Sequence, residues 1–88
     1  MKARITWNYY SPELEAEYIP SINEMTANTW AQVRKWVEQQ IETRNVEELD
    51  YIDIDEIGNF KDSEGIPIEF KPIAIYEHGT RNWEWLED

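Results

Sequence analysis

The sequence has no cysteine, a single histidine and only three glycines. Without cysteine there is no disulfide framework, no thiolate zinc site and no cysteine nucleophile. The chain therefore fits a reducing compartment. No apolar run approaches the roughly 18 residues of a membrane-crossing helix. Met1-Lys2-Ala3-Arg4 leads into an alternating segment rather than into an apolar signal core. These absences predict a soluble, cytoplasmic protein.

Positive charge is also scarce. Eight Lys and Arg stand against nineteen Asp and Glu, a formal net charge of −11 on 88 residues. Such a surface repels phosphate backbones and anionic lipids, so neither nucleic acid nor membrane is expected as a direct partner. Eight of the acids lie between Glu47 and Glu64, with Lys61 the only base among them. Self-repulsion of this kind destabilises a compact chain, which makes a use for it worth seeking.

What is plentiful is aromatic. Five Trp, five Tyr and two Phe set the chain apart from acidic disordered sequences, which are poor in such residues. Each aromatic buries about 150–250 Å² and can anchor a small core without disulfides. The length predicts one domain over residues 1–88.

Hydrophobic periodicity divides the chain into elements. Ala3, Ile5, Trp7 and Tyr9 alternate with Arg4, Thr6 and Asn8, the period-two pattern of a half-buried strand. Ser11-Pro12 breaks it. Leu14, Ala16 and Tyr18 then alternate with Glu13, Glu15 and Glu17. The two runs read as a hairpin, with Tyr9 near Leu14, Trp7 near Ala16 and Ile5 near Tyr18. Pro20 ends the pairing or marks an edge. Trp30, Val33, Val37 and Ile41 form a helical stripe, capped by Thr26 or Asn28 and stopped by a left-handed Asn45. Trp36 sits about 100° off that stripe.

A third strand is expected over Leu49 to Ile57, with Ile52 and Ile54 opposite Tyr51, Asp53 and Asp55. Gly58-Asn59 and Asp62-Ser63-Glu64-Gly65 are turn signals. Ile66, Ile68 and Phe70 alternate, and a parity change predicts a bulge at Lys71-Pro72. After a turn at Gly79, Trp83 to Leu86 reads as a last short strand. The order β-β-α-β-β-β predicts an α+β fold, an antiparallel sheet with one helix on one face.

Three sets of residues invite a functional reading. Carboxylates alternating on a strand recur at roughly 6.8 Å, twice the strand rise. Glu13, Glu15 and Glu17 form one such row, and Asp53 and Asp55 another. A rigid row of this pitch suits a groove built for phosphates, with fast and salt-sensitive association. The plain alternative is a solvated face that keeps a small protein soluble. The second set is Asp53, Asp55, Gly58 and Glu64, which match ligand and turn positions of a calcium-binding loop. Ile57 stands where that loop needs a ligand and the flanks read as strands, so an acidic turn is expected and no metal site. The third set is Trp36, Trp83 and Trp85, which either cover the sheet or anchor an interface. His78, beside Gly79, has no serine nucleophile motif to serve. No catalytic residue and no cofactor is expected, and the chain does not read as an enzyme.

Glu13, Glu15, Glu17, Glu47, Glu48, Asp50, Asp53, Asp55 and Glu56 together give a layout that resembles a known class. It is similar to the small, acidic, cysteine-free inhibitors encoded by phages, the anti-CRISPR, anti-restriction and DNA-mimic proteins. The resemblance rests on size, charge and layout. It implies a non-enzymatic inhibitor of a basic, nucleic-acid-handling protein, such as a CRISPR-Cas or other host defence nuclease complex. Those nine acids and Trp36, Trp83 and Trp85 would form the partner surface. The competing reading is an assembly module that homodimerises through a strand edge or its exposed aromatics. A small-ligand binder is a third, disfavoured by the negative charge and the lack of a Gly-rich phosphate loop.

Overall fold

The computed structural model describes residues 1–86. Its centre is β1 (Lys2–Ser11), the alternating segment at the N-terminus. Ala3, Ile5 and Trp7 are completely buried on one side of it, as the period-two pattern requires. β4 (Leu49–Lys61) pairs antiparallel with one edge of β1, from Lys2↔Ile57 to Tyr9↔Leu49. β5 (Pro67–Glu77) pairs with β4, and β6 (Asn82–Trp85) with the end of β5.

The other edge of β1 carries an interrupted strand. β2 (Ala16–Glu17) pairs with Tyr10 and Ser11, and β3 (Ser21–Thr26) pairs with Lys2 to Trp7. Tyr18 to Pro20 breaks the ladder between them. Pro20 lacks an N–H for the ladder, which explains the gap. Counted as one broken edge strand, β2 and β3 give the expected order β-β-α-β-β-β. The sheet has six strands and is antiparallel throughout.

The register of the first hairpin differs from expectation. Ser11 faces Ala16 and Tyr10 faces Glu17, four residues off the expected pairing, and Leu14, Ala16 and Tyr18 are all exposed rather than inward. Leu14 is 72% exposed. Pro12 to Glu15 form a turn instead, closed by Leu14 N–H donating to Ser11 Oγ at 3.3 Å. Glu15 takes the left-handed conformation there, with φ 49°. The inward partners of β1 come from β3, where Ser21, Asn23 and Met25 are opposite Trp7, Ile5 and Ala3. Two of those three are polar, so no apolar alternation announced this strand.

The helix α1 (Trp30–Thr43) covers one face of the sheet. Val33 and Val37 are fully buried against Ile5, Trp7, Ile52 and Ile54, with Trp30, Trp36 and Ile41 packed at the flanks. Its cap is Thr29, not Thr26 or Asn28: Gln32 N–H donates to Thr29 Oγ1 at 3.2 Å. The stop also differs. Arg44 ends the helix in extended conformation after donating its N–H to Gln40 O at 2.8 Å, and Asn45 is not left-handed. Each fully buried aliphatic side chain here contributes about 1.5–3 kcal/mol.

β4 runs four residues past Ile57, so Gly58-Asn59 is not a turn. A register shift between Ile57 and Phe60 absorbs it as an irregularity inside the strand. The real turn is Asp62 to Gly65, where Asp62 Oδ1 accepts from Glu64 N–H and Ile66 N–H. Gly65 supplies the positive φ of 79°. The expected bulge falls at Pro72-Ile73, since Asp55 pairs with Pro72 and Ile54 with Ala74. Ile73 and Ala74 are therefore both buried, although neighbours.

Candidate protein-binding surface

The antiparallel topology brings three segment ends together. Tyr10 N–H donates to Glu48 O at 2.9 Å, Tyr18 N–H to Tyr9 O at 3.1 Å, and His78 N–H to Asp50 O at 3.0 Å. The end of β1, the start of β4 and the end of β5 thus form one end of the sheet. Glu13 and Glu15 on the turn, Glu17 on β2, and Glu47, Glu48 and Asp50 before and within β4 all belong to it. Glu77, the last residue of β5, joins them. Sequence reasoning missed Glu77, although an antiparallel β4–β5 pair already implied its place.

The row of Glu13, Glu15 and Glu17 does not exist as a strand row. Two of the three are turn residues, so the regular spacing expected of a strand does not apply. They are grouped by the turn and by Tyr18 instead. Tyr18 donates its hydroxyl to Glu48 Oε2 at 2.6 Å. That bond favours the neutral phenol and raises the Tyr18 pKa, with Glu48 and Glu13 adding to it.

Asp53 and Asp55 lie on the face of the sheet away from the helix, as expected. With them are Arg4, Thr6 and Asn8 of β1, and Tyr51 of β4. Burial raises the pKa of both carboxyls, partly offset for Asp53 by Asn8 and for Asp55 by Arg4. Asp53 Oδ2 accepts from Asn8 Nδ2 at 3.3 Å. Arg4 Nη2 stands 3.8 Å from Asp55 Oδ2, and its guanidinium lies 3.6 Å above the Phe70 ring centre. Arg4 Nε and Thr6 Oγ1 are buried and have no hydrogen-bond partner among the described residues. Tyr51 connects this face to the acidic end: burial raises its pKa, and Asp53, Glu17 and Asp50 add to the effect.

Glu56 stands apart. It shares the parity of Ile52 and Ile54 and so belongs to the helix side, half-buried opposite Ala3. Trp36, Trp83 and Trp85 belong to the helix side of the sheet, not to the face of Asp53 and Asp55. Trp36 is half-buried at the flank of the core. Trp83 and Trp85 stack at 5.7 Å on β6, Trp83 packs on Tyr76 at 5.1 Å, and Trp85 is 36% exposed.

A groove of about 400 Å³ runs between α1 and β5–β6. Arg34, Ile41, Tyr76, His78 and Trp83 are among its walls. His78 Nδ1 is 3.1 Å from the Tyr76 hydroxyl, and Arg34 Nε donates to Glu38 Oε1 at 2.7 Å. The calcium-loop reading finds no geometry. Asp53 and Asp55 are on the outer face of β4, whereas Glu64 is in the turn beyond Lys61. Among the described residues no group of three or more His, Asp or Glu side chains is placed to hold a metal ion. None of the described helices is long and apolar enough to cross a membrane.

Comparison with protein-family models, with curated proteins and with solved structures yields no match for this chain.

Proposed function

We propose that this chain is a non-enzymatic inhibitor. It binds a basic, nucleic-acid-handling protein, such as a CRISPR-Cas or other host defence nuclease complex, and blocks its nucleic-acid-binding surface. One observation carries the reading. The topology gathers Glu13, Glu15, Glu17, Glu47, Glu48, Asp50 and Glu77 at one sheet end. Their backbone is held by the sheet and its turns. Fixed charge of one sign steers association and pairs with Lys and Arg without first ordering a tail. Tyr10 and Tyr18, both partly exposed at that end, supply aromatic contact area.

The test is capture of partners from a bacterial lysate at low and high salt, with added duplex DNA or RNA as competitor. The proposal expects a basic nucleic-acid enzyme that is displaced by either salt or competitor. A partner indifferent to both would sink it. The stacked Trp83 and Trp85 on the short edge strand β6 favour the assembly reading instead. Sedimentation that shows a salt-insensitive dimer, lost in Trp85→Ser, would establish that alternative.

A further inference from the structure

The sheet face away from α1 carries a depression of about 470 Å³, walled by Asp50, Tyr51, Ile75, Glu77, Gly79 and Thr80. Its walls hold two carboxylates and no cation. Tyr51 and Ile75 are half-buried beside it. Thr80 Oγ1 donates to Glu77 Oε2 at 3.4 Å, leaving most of that carboxylate's accepting capacity free. Asp53 lies two residues from Tyr51 on the same face and holds one long hydrogen bond. A Cβ added at Gly79 would meet nothing within 4 Å, so the mouth there is open.

We infer that this depression is a binding site for a guanidinium, the arginine side chain of a basic partner. The inference rests on the proposal that the partner is basic, and it names the group recognised and the place. The chemistry follows from the walls. A guanidinium is planar, so it lies against the Tyr51 ring as a cation on an aromatic face. Its fork of N–H donors reaches carboxylates on two sides, Asp50 and Glu77, which a compact ammonium does less well. Its aliphatic stem packs on Ile75. A second copy of this chain is a poor occupant, because it brings the same −11 charge to the contact.

The experiment is a titration of the isotopically labelled full chain with a hexa-arginine peptide and, separately, a hexalysine peptide. Hexa-arginine is expected to bind more tightly and to shift the amides of Asp50, Tyr51, Ile75, Glu77 and Gly79. Tyr51→Leu should weaken hexa-arginine by about two- to fivefold, the share of an exposed cation–aromatic contact. Asp50→Asn with Glu77→Gln should weaken both peptides by about fivefold, as for exposed ion pairs. Shifts confined to residues 13–17 and 47–48 would overturn the site while leaving the proposed function standing. So would equal affinity for the two peptides that no variant alters. Self-association that shifts the same amides without peptide would also overturn it. Arginine binding here, with a lysate partner indifferent to nucleic acid, would instead defeat the inhibitor reading and keep the site.

Discussion

Arg44 lies across the face of Trp7, its guanidinium carbon 4.2 Å from the ring centre. Both residues donate to one acceptor, Asn23 Oδ1, Trp7 Nε1 at 2.9 Å and Arg44 Nη2 at 2.8 Å. A fully buried indole needs a partner for its N–H, and β3 supplies one. The same atom holds the residue that ends the helix. Asn23 therefore ties the edge strand, the central strand and the helix terminus together.

Asn23→Leu should accordingly destabilise the fold by about 1–3 kcal/mol, the cost of leaving a buried donor unpaired. Arg44→Ala should cost less, because Trp7 keeps its hydrogen bond. Urea unfolding followed by tryptophan fluorescence reads both. A smaller effect for Asn23→Leu than for Arg44→Ala would refute the shared-acceptor account.

The helix start makes a second prediction. Thr29 caps the helix, and Gln32 Oε1 accepts from Asn28 N–H at 2.9 Å. Thr29→Ala should cost about 1 kcal/mol. Asn28→Ala should be nearly neutral, because the bond uses the Asn28 backbone. Equal losses at both positions in thermal unfolding would contradict this assignment.

These two sites also show what was legible in the sequence. The helix stripe and the β1 pattern were readable, because both bury strictly periodic apolar residues such as Val33, Val37, Ile5 and Trp7. The cap was misplaced because Thr26, Asn28 and Thr29 are all good caps and only the strand end of β3 selects among them. β3 itself was invisible: its inward residues are Ser21, Asn23 and Met25, and the need for Asn23 arises from its distant donors Trp7 and Arg44. The alternation of Leu14, Ala16 and Tyr18 misled for the opposite reason. Pro12 and the left-handed Glu15 bend that segment into a turn before it can pair. The acidic character of the surface was readable from composition. Its gathering at one end, including Glu77, needed the register.

Stability should depend on pH through Asp53 and Asp55. Burial raises both folded pKa values above the ordinary carboxylate value. Between the unfolded and the raised folded values the native state holds more protons than the unfolded chain. Stability contributed by these groups is thus fully present below the unfolded pKa and is lost as pH rises through the folded one. The groups facing them are Arg4, Thr6 and Asn8 on β1 and the uncharged Pro72 and Ile75 on β5, and the charge of Asp53 further raises Asp55. Thermal unfolding from mildly acidic to neutral pH should show falling midpoints, and Asp53→Asn or Asp55→Asn should flatten the fall. Profiles of unchanged slope in both variants would assign the effect to the remaining acids.

Glu15 allows stability and charge to be separated. Its left-handed backbone is unfavourable for a residue with a Cβ, by roughly 1–2 kcal/mol, and glycine adopts it freely. Glu15→Gly should therefore raise the unfolding midpoint, with a gain of up to about 1 kcal/mol after the added entropy of an unfolded glycine. Glu15→Gln keeps the backbone penalty and should leave stability nearly unchanged. Both remove one carboxylate from the acidic end, so both should weaken a basic partner equally and reduce the salt dependence of binding. A Glu15→Gly protein that is more stable and binds as well as the parent would show that this carboxylate only keeps the turn soluble. Weakening by Gly but not by Gln would mean that the shape of the turn, not its charge, makes the contact.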